Sequence, residues 1–348
     1  MRNTILASNQ QKSLQKWYEK NRLKIYPALV LFIYLNWILF MTLSQNWSLF
    51  RDYWPATVTM MVGSFVAGAT AEGGGAVAYP VFTKVLQIES ANARTFSLMI
   101  QSFGMGMASI FILTRRIRVL PKVIIWVSLG GVLGHIIGAF WLIIPSPYPK
   151  VLFTFVTTAF GVALFLSTYV MKWTPRDDLP GWGWRYQAAF ASVGVFGGIF
   201  AAQVGSGIDA LTFMLLTLGF GLNEKVSVPT TVIIMAVNSW VGFFLRGVVL
   251  QDIGVMWNYW LVAMPVVIIG APVGAFVTTK LSRYSVINFL LVLISVELLT
   301  TLWLVPFRTM TEVMVSATAV LIFTTWFWMM LRYRSSLKRP SDPITNLP

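Results

Sequence analysis

The chain has 348 residues, of which 57% are hydrophobic and only 11% charged, against about 25% charged residues in ordinary soluble domains. So few charges cannot cover a water-facing surface, and the composition predicts an all-α polytopic membrane protein. The lack of cysteine and the single histidine exclude disulfides, thiolate chemistry and cysteine-based metal centres, so no metal site or cofactor is expected; the net charge of +14 is explained by basic residues at span ends rather than by a nucleic-acid partner.

Ten apolar stretches follow one another along the chain, and eight of them have the length of a bilayer-spanning helix. The first follows a basic segment, residues 1–25, as in a signal peptide, but it lacks a small-residue cleavage site and is interpreted as an uncleaved span. The other two stretches, residues 55–87 and 188–219, are too long for one straight span and are interrupted by glycine. The predicted spans are residues 26–44, 96–113, 123–144, 151–171, 226–245, 253–279, 286–305 and 313–331.

Basic residues cluster in the N-terminal segment, in the loop 115–122 and in the tail 332–348, and the positive-inside rule places all three in the cytoplasm. The chain then starts outside after the first span and reaches the cytoplasm again at residue 115. Only one clear span separates these points, so residues 55–87 must enter and leave by the same face. They are predicted to form a re-entrant hairpin, here the first hairpin, with its first tip at Gly73–Gly75.

Continuing the count places the linker 172–187 in the cytoplasm and makes residues 188–219 a second hairpin, which enters from the inside and has its second tip at Gly205–Gly207. Glycines occur in the same order and at closely similar spacing in both halves. This predicts a duplication into repeat one, residues 54–171, and repeat two, residues 188–305, each with a hairpin and three spans. Because three is odd, repeat two is inverted, as in many secondary transporters. The aligned glycines are Gly73 with Gly205, Gly75 with Gly207, Gly134 with Gly270 and Gly138 with Gly274.

Inverted repeats bring the two tips together near the middle of the membrane. The half-helices that begin near Gly75 and Gly207 are expected to present unpaired backbone N–H groups, and glycine lets a ligand approach them closely. Two such ends facing each other favour an anion. The alternative interpretation is that these glycines only permit a kink or tight packing, which is also how the Gly-x-x-x-Gly pairs of the spans are interpreted.

Polar residues at the tips and near the starts of the following spans are the candidate substrate ligands, because they can hydrogen-bond sulfonate or carboxylate oxygens. For each of them, capping or interhelical hydrogen bonding is an alternative, as is snorkelling for the two basic ones. The candidates are Glu72, Gly73, Gly74, Gly75, Gln203, Gly205, Ser206, Gly207 and Asp209 at the tips, and Arg94, Thr95, Ser97, Gln101, Lys225, Thr230 and Asn238 on the spans.

Acidic residues inside a membrane are costly and are functional candidates by default. Glu72 and Asp209 adjoin the tips and are candidate proton carriers, partners of a basic residue or contacts of the substrate. Glu297 is interpreted as a helix-pairing residue, and His135 as a hydrogen-bonded core histidine.

The segment Ala71–Pro80 resembles the glycine-rich element of the sulfite exporter TauE/SafE family, and Asn92–Leu98 resembles the segment that follows it in that family. The resemblance covers residues 58–301. It implies a multi-pass transporter of the bacterial inner membrane for a sulfur-containing anion, such as sulfite, sulfoacetate or a related organosulfonate. A coupling proton or cation is a further candidate partner. The sequence departs from the family pattern where substrate is expected to bind, at Ala71, Glu72, Gln203, Ser206 and Thr212.

Two other functions are compatible with parts of the sequence. A passive anion channel can use the same hairpins, and an intramembrane hydrolase can pair Ser206 with His135. The hydrolase is disfavoured because Val204 stands where a rhomboid-type protease has glycine, and the protein is not expected to be an enzyme. The Walker pattern of ATP-binding proteins is absent, so the energy for transport is expected to come from an ion or substrate gradient. The direction of transport, the coupling ion and the oligomeric state are left open.

Overall fold

The structure, a computed structural model, describes residues 2–142, 144–145, 148–172, 174–304 and 310–336. Within these ranges the chain is built from α-helices and short 3₁₀ or π turns, which confirms the predicted all-α class. The α-helices are α1 (Arg2–Leu43), α2 (Leu49–Ala69), α3 (Gly75–Pro80), α4 (Ser90–Thr114), α5 (Pro121–Phe140), α6 (Tyr148–Phe165), α7 (Trp184–Val204), α8 (Ile208–Met214), α9 (Glu224–Phe244), α10 (Met256–Lys280), α11 (Arg283–Leu304) and α12 (Met310–Ser336).

Eight helical segments among the described residues are long and apolar enough to cross a membrane, which confirms a polytopic membrane protein. They lie in α1, α4, α5, α6, α7, α9, α10 and α11. Three features differ in detail from the predicted segments, and the first is that the predicted span 313–331 lies in α12, which is not one of these eight. Helix α1 runs without interruption from Arg2, so the basic N-terminal segment is continuous with the first span. Helix α7 has 21 residues and spanning length, although it was predicted as one limb of a hairpin.

Each interrupted stretch consists of one long helix and one short helix that folds back along it. Val77 of α3 lies against Gly63 of α2, and Ile208 of α8 lies against Gly197 of α7. The long limbs α2 and α7 are full-length helices rather than the predicted half-helices. The short limbs have only six and seven α-helical residues, and π turns at Val81–Val85 and Leu215–Gly219 extend them. Entry and exit of both hairpins at a single membrane face remain predictions.

Glycines let the two long limbs pack on helices of the opposite repeat. A Cβ on Gly274 of α10 would lie 2.1 Å from the carbonyl oxygen of Phe65 in α2. A Cβ on Gly134 of α5 would lie 2.0 Å from the carbonyl oxygen of Val195 in α7. Helix backbones therefore touch at these points, as in other membrane helix pairs with small residues. The inverted duplication itself remains a prediction.

Basic segments that are distant in sequence meet at one end of the helix bundle. Arg116 pairs with Glu19 of α1, Arg118 donates to Asp178 of the linker at 2.6 Å, and Arg334 of α12 donates to the carbonyl of Thr217 at 2.7 Å. The N-terminal segment, the 115–122 loop, the linker and the end of α12 thus lie together, as their charges predict. We assign this end to the cytoplasm from the same charges, as a prediction.

Candidate functional site

The first and second tips contact each other in the interior of the protein. Gly73 and Gly205 adopt left-handed backbone conformations, with φ of 69° and 84°, which glycine adopts at little cost. A Cβ on Gly73 would lie 2.6 Å from Oδ2 of Asp209, and one on Gly75 would lie 2.7 Å from Cβ of Ser206. Any side chain at these glycines would therefore displace the opposite hairpin.

Two polar side chains of α4 bridge the tips. Gln101 donates Nε2 to the carbonyl of Gly205 at 2.6 Å and to the carbonyl of Ser97 at 3.1 Å. Ser97 Oγ also donates to the Gly205 carbonyl, at 3.3 Å, and lies beside Gly75. Ser97 and Gln101 are four residues apart and so share one face of α4. That face satisfies the carbonyl at the end of α7, which the helix itself leaves without a partner.

Asp209 closes the second tip on itself. Its Oδ1 accepts hydrogen bonds from the backbone N–H groups of Gly207 and Ala210, both at 3.0 Å. The prediction that the start of α8 offers these donors to an anion is therefore wrong, because a carboxylate of the same turn already occupies them. The sequence shows an aspartate at position 209, but it does not show that its side chain accepts hydrogen bonds from backbone N–H groups of the same turn.

Buried acceptor atoms without a hydrogen-bond partner gather around this contact. Among the described residues they include Oε1 of Glu72, Oε1 of Gln101 and Oδ2 of Asp209. All three side chains are buried, and Asp209 is completely inaccessible. Such atoms are costly to leave unpaired, so their grouping at the contact between two hairpins points to a function rather than to packing alone.

Glu72 also faces a cavity of about 140 Å³ between the first hairpin and α11. On the other side of this cavity, Lys84 donates to Glu297 at 2.9 Å and to Thr301 at 2.7 Å, and Glu297 accepts from Thr154 at 2.9 Å. Glu297 thus joins the first hairpin, α6 and α11, which confirms its interpretation as a helix-pairing residue. Lys84 is buried as its partner.

Two arginines lie on the side of the tips away from the basic end of the bundle. Arg94 is one turn before Ser97 on α4, and its carbonyl oxygen touches Gly205. Arg246, in the π turn after α9, pairs with Asp252. The Nε atoms of both arginines are buried without a partner, and the two charges are close enough to repel each other. Sequence reasoning did not select Arg246, although an arginine at the end of an apolar span was the available signal.

Several predicted ligands lie apart from the tip contact. Gln203 donates to the carbonyls of Gly138 and Leu142, at 2.8 and 2.7 Å, and so caps the end of α5. Thr230 accepts from the N–H of Leu120, at 3.1 Å, at the start of α5. These two side chains hold α5 at both of its ends.

Four further candidates also take no part in the bridge between the tips. Thr95 is buried and donates to the carbonyl of Ala91 at 2.9 Å, and Lys225 is exposed. Asn238 lies 3.2 Å from His135, which confirms His135 as a hydrogen-bonded core histidine. Gly74 packs against its own hairpin at Ala67.

A comparison with protein families gives one match. The family model described as Sulfite exporter TauE/SafE matches residues 56–304, a range that contains both tips, α4, Arg94, Arg246 and the Lys84–Glu297 pair. Comparison with curated proteins and with solved structures finds no match.

Proposed function

The chain belongs to the sulfite exporter TauE/SafE family, and we propose that it is a secondary transporter that moves a sulfur-containing anion across the bacterial inner membrane. Sulfite, sulfoacetate and related organosulfonates are the substrate class. The anion is held where the two tips meet, on the side that carries Arg94 and Arg246.

The observation that carries this proposal is a pair of guanidinium groups beside the tips, half-buried Arg94 and buried Arg246. Arg94 and Arg246 each keep a buried Nε–H without an acceptor, and they repel each other. A sulfonate supplies both a negative charge and several acceptor oxygens, so it would relieve the repulsion and accept the free donors. Ser97 lies one turn further along the same face of α4 and donates to the carbonyl of Gly205. The proposed anion site therefore extends to the second tip.

Contact between the tips favours a carrier over a passive channel. Gly73 and Gly75 of the first tip lie against Asp209 and Ser206 of the second hairpin, and Gln101 and Ser97 of α4 bond to Gly205. A solute cannot pass between them unless the tips move apart. Since each long limb packs on a helix of the opposite repeat, a rocking of one repeat against the other would separate the tips and expose the anion alternately to each side.

The hydrolase alternative gains no support from the geometry. Ser206 lies against Gly75, whereas His135 contacts Asn238 and Gly242, so the two side chains of the supposed pair have different neighbours.

Liposomes that contain the purified protein test the proposal. Radiolabelled sulfite and sulfoacetate should enter them with a rate that saturates as the concentration rises. A rate that stays proportional to concentration would favour the channel. Failure to move any of a panel of sulfite and organosulfonates would overturn the proposed function.

A further inference from the structure

The side-chain amide of Gln101 can be oriented in only one way. Its nitrogen donates to the carbonyls of Gly205 and Ser97, which are acceptors only. Exchanging the nitrogen and oxygen of the amide would place oxygen against these two carbonyls, and that arrangement is repulsive. Oε1 of Gln101 is therefore fixed on the opposite side, where it faces Gly73 and has no donor.

Asp209 meets Gln101 at the same place. Its Oδ1 is satisfied by two backbone N–H groups, while its Oδ2 is buried and has no partner. The position that a Cβ of Gly73 would take lies 2.6 Å from this Oδ2 and 2.5 Å from Oε1 of Gln101. Two acceptor atoms thus converge beside Gly73, with no donor from the described residues to link them.

We propose that Asp209 binds a proton on Oδ2, which it donates to Oε1 of Gln101, and that this proton is the ion to which anion transport is coupled. One proton satisfies both orphaned acceptors at once, whereas turning the Gln101 amide would set its oxygen against the carbonyls of Gly205 and Ser97. The coupling rests on the proposed function, but the proton site does not.

A metal cation fits this place poorly. Hard cations such as Mg²⁺ and Ca²⁺ take six or more oxygen ligands. Oδ2 of Asp209 and Oε1 of Gln101 are only two oxygens, and Oδ1 and the Gly205 carbonyl already accept hydrogen bonds. A proton needs only the two atoms that are free.

Among the charged and titratable groups of the surrounding elements, Glu72 of the first tip is near enough to Asp209 to interact with it electrostatically. Arg94 lies on α4 and His135 on α5. Other helices of the bundle carry charged residues in their first turns, away from Asp209. These residues are Arg51 and Asp52 of α2, Arg185 of α7, and Glu224 and Lys225 of α9. Glu72 is thus the group whose charge bears most directly on the proton, and it must be varied alongside Asp209.

The site is built from parts that must separate during transport. Asp209 belongs to the second hairpin, Gln101 belongs to α4, and Gly73 of the first tip covers both acceptors. When the tips part, water reaches the carboxyl group, its O–H bond breaks, and the proton leaves to water on the open side. Release is therefore tied to the same movement that frees the anion.

Infrared difference spectroscopy of the purified protein tests the proton site directly. At neutral pH the wild type should show a carbonyl band of a protonated carboxylic acid, and Asp209→Asn should remove it. Asparagine keeps Oδ1 for the two backbone N–H groups and supplies an N–H for Gln101, so this variant should fold. Asp52→Asn, at an exposed aspartate of α2, is the matched control and should leave the band unchanged.

Two further variants make the assignment specific. Gln101→Met should keep the band of Asp209 and shift its frequency, because the carboxyl O–H loses its acceptor. A band that survives in Asp209→Asn and disappears in Glu72→Gln would overturn the proposal by placing the proton on Glu72. Absence of the band from the wild type at neutral pH would overturn it as well.

Transport in liposomes tests the coupling. Sulfoacetate is the probe, because its acid groups stay ionised near neutral pH. A pH gradient should accelerate wild-type uptake, and Asp209→Asn should lose this acceleration while it still exchanges internal for external sulfoacetate. Retained acceleration in the variant, or acceleration by a sodium gradient in place of a pH gradient, would overturn the coupling. A wild type that moves no sulfoacetate would count against the proposed function, and the infrared comparison would still decide the proton site.

Discussion

Gln101 donates its side-chain amide to the carbonyl of Gly205 at 2.6 Å and so ties the buried helix α4 to the second tip. The opposite end of the same amide faces Gly73 of the first tip. One side chain therefore contacts both hairpins at the point where they meet, and disturbing it should affect the closed arrangement of the tips more than any substitution at the protein surface.

Replacing Gln101 by leucine should lower stability and transport together. The carbonyl of Gly205 would lose its 2.6 Å bond and stay buried, which costs about 1–3 kcal/mol. We expect a lower unfolding temperature in detergent and a loss of most sulfoacetate flux. Gln187→Leu, at a half-buried position near the start of α7, should change neither; equal effects of the two variants would contradict a special role for Gln101.

A methyl group on Gly73 should prevent the tips from closing. Alanine there combines a left-handed φ of 69° with contacts of 2.5 and 2.6 Å to Gln101 and Asp209. Backbone strain of this kind costs about 1–3 kcal/mol even without a clash. Gly254→Ala separates the two effects, because Gly254 has a φ of 53° but nothing within 4 Å of the new methyl group. Flux in liposomes should vanish for the first variant and persist for the second.

Neutralising Arg94 or Arg246 should weaken the apparent affinity for the anion. A hydrogen bond to a charged group contributes about 1.5–3 kcal/mol, so each arginine-to-glutamine change should raise the KM for sulfoacetate about tenfold or more. Arg51→Gln removes an exposed positive charge near the start of α2 and is the control for net charge. If all three variants shift KM equally, Arg94 and Arg246 do not form the anion site.

Much of this architecture follows from the sequence, because bilayer spans and glycine interruptions are properties of single segments. The helices and the two tips are of this kind. Long-range pairings are not: nothing local indicates that Lys84 will be buried against Glu297, or that the long limb α7 will match the length of α5. The hydrogen bonds from the N–H groups of Gly207 and Ala210 to the Asp209 side chain also depend on the fold. In an extended tip, the same aspartate would leave these N–H groups free.

The Lys84–Glu297 pair predicts an asymmetry between single and double substitution. Both side chains are buried, with 3% and 11% of the side-chain surface exposed. Removing one partner leaves an unpaired buried charge, which costs about 3–5 kcal/mol, whereas an apolar pair of similar volume is often neutral. Glu297→Gln should therefore lower the unfolding temperature strongly, and Lys84→Met with Glu297→Leu should recover most of it.

A surface pair provides the comparison for that experiment. Arg118 and Asp178 are 51% and 73% exposed, and pairs of this kind contribute about 0–1 kcal/mol. Asp178→Asn should leave the unfolding temperature nearly unchanged. If Asp178→Asn lowered the unfolding temperature more than Glu297→Gln, the conclusion that the Lys84–Glu297 pair stabilises the first hairpin would be contradicted.

Reversible cross-linking at the tips tests most directly the claim that they meet in the closed state and part during transport. The chain has no cysteine, so a Ser97→Cys, Ser206→Cys double variant carries the only two thiols, one on α4 and one on the second tip. The two serine hydroxyl oxygens lie 2.6 and 2.9 Å from the position that a Cβ of Gly75 would take, so the thiols would be close together without any added bulk at a glycine. Oxidation should join α4 of repeat one to the second tip and stop sulfoacetate flux, and a reducing agent should restore it, with both single-cysteine variants unaffected by the oxidant. A protein that is cross-linked to completion and still transports sulfoacetate would contradict a pathway through the tips.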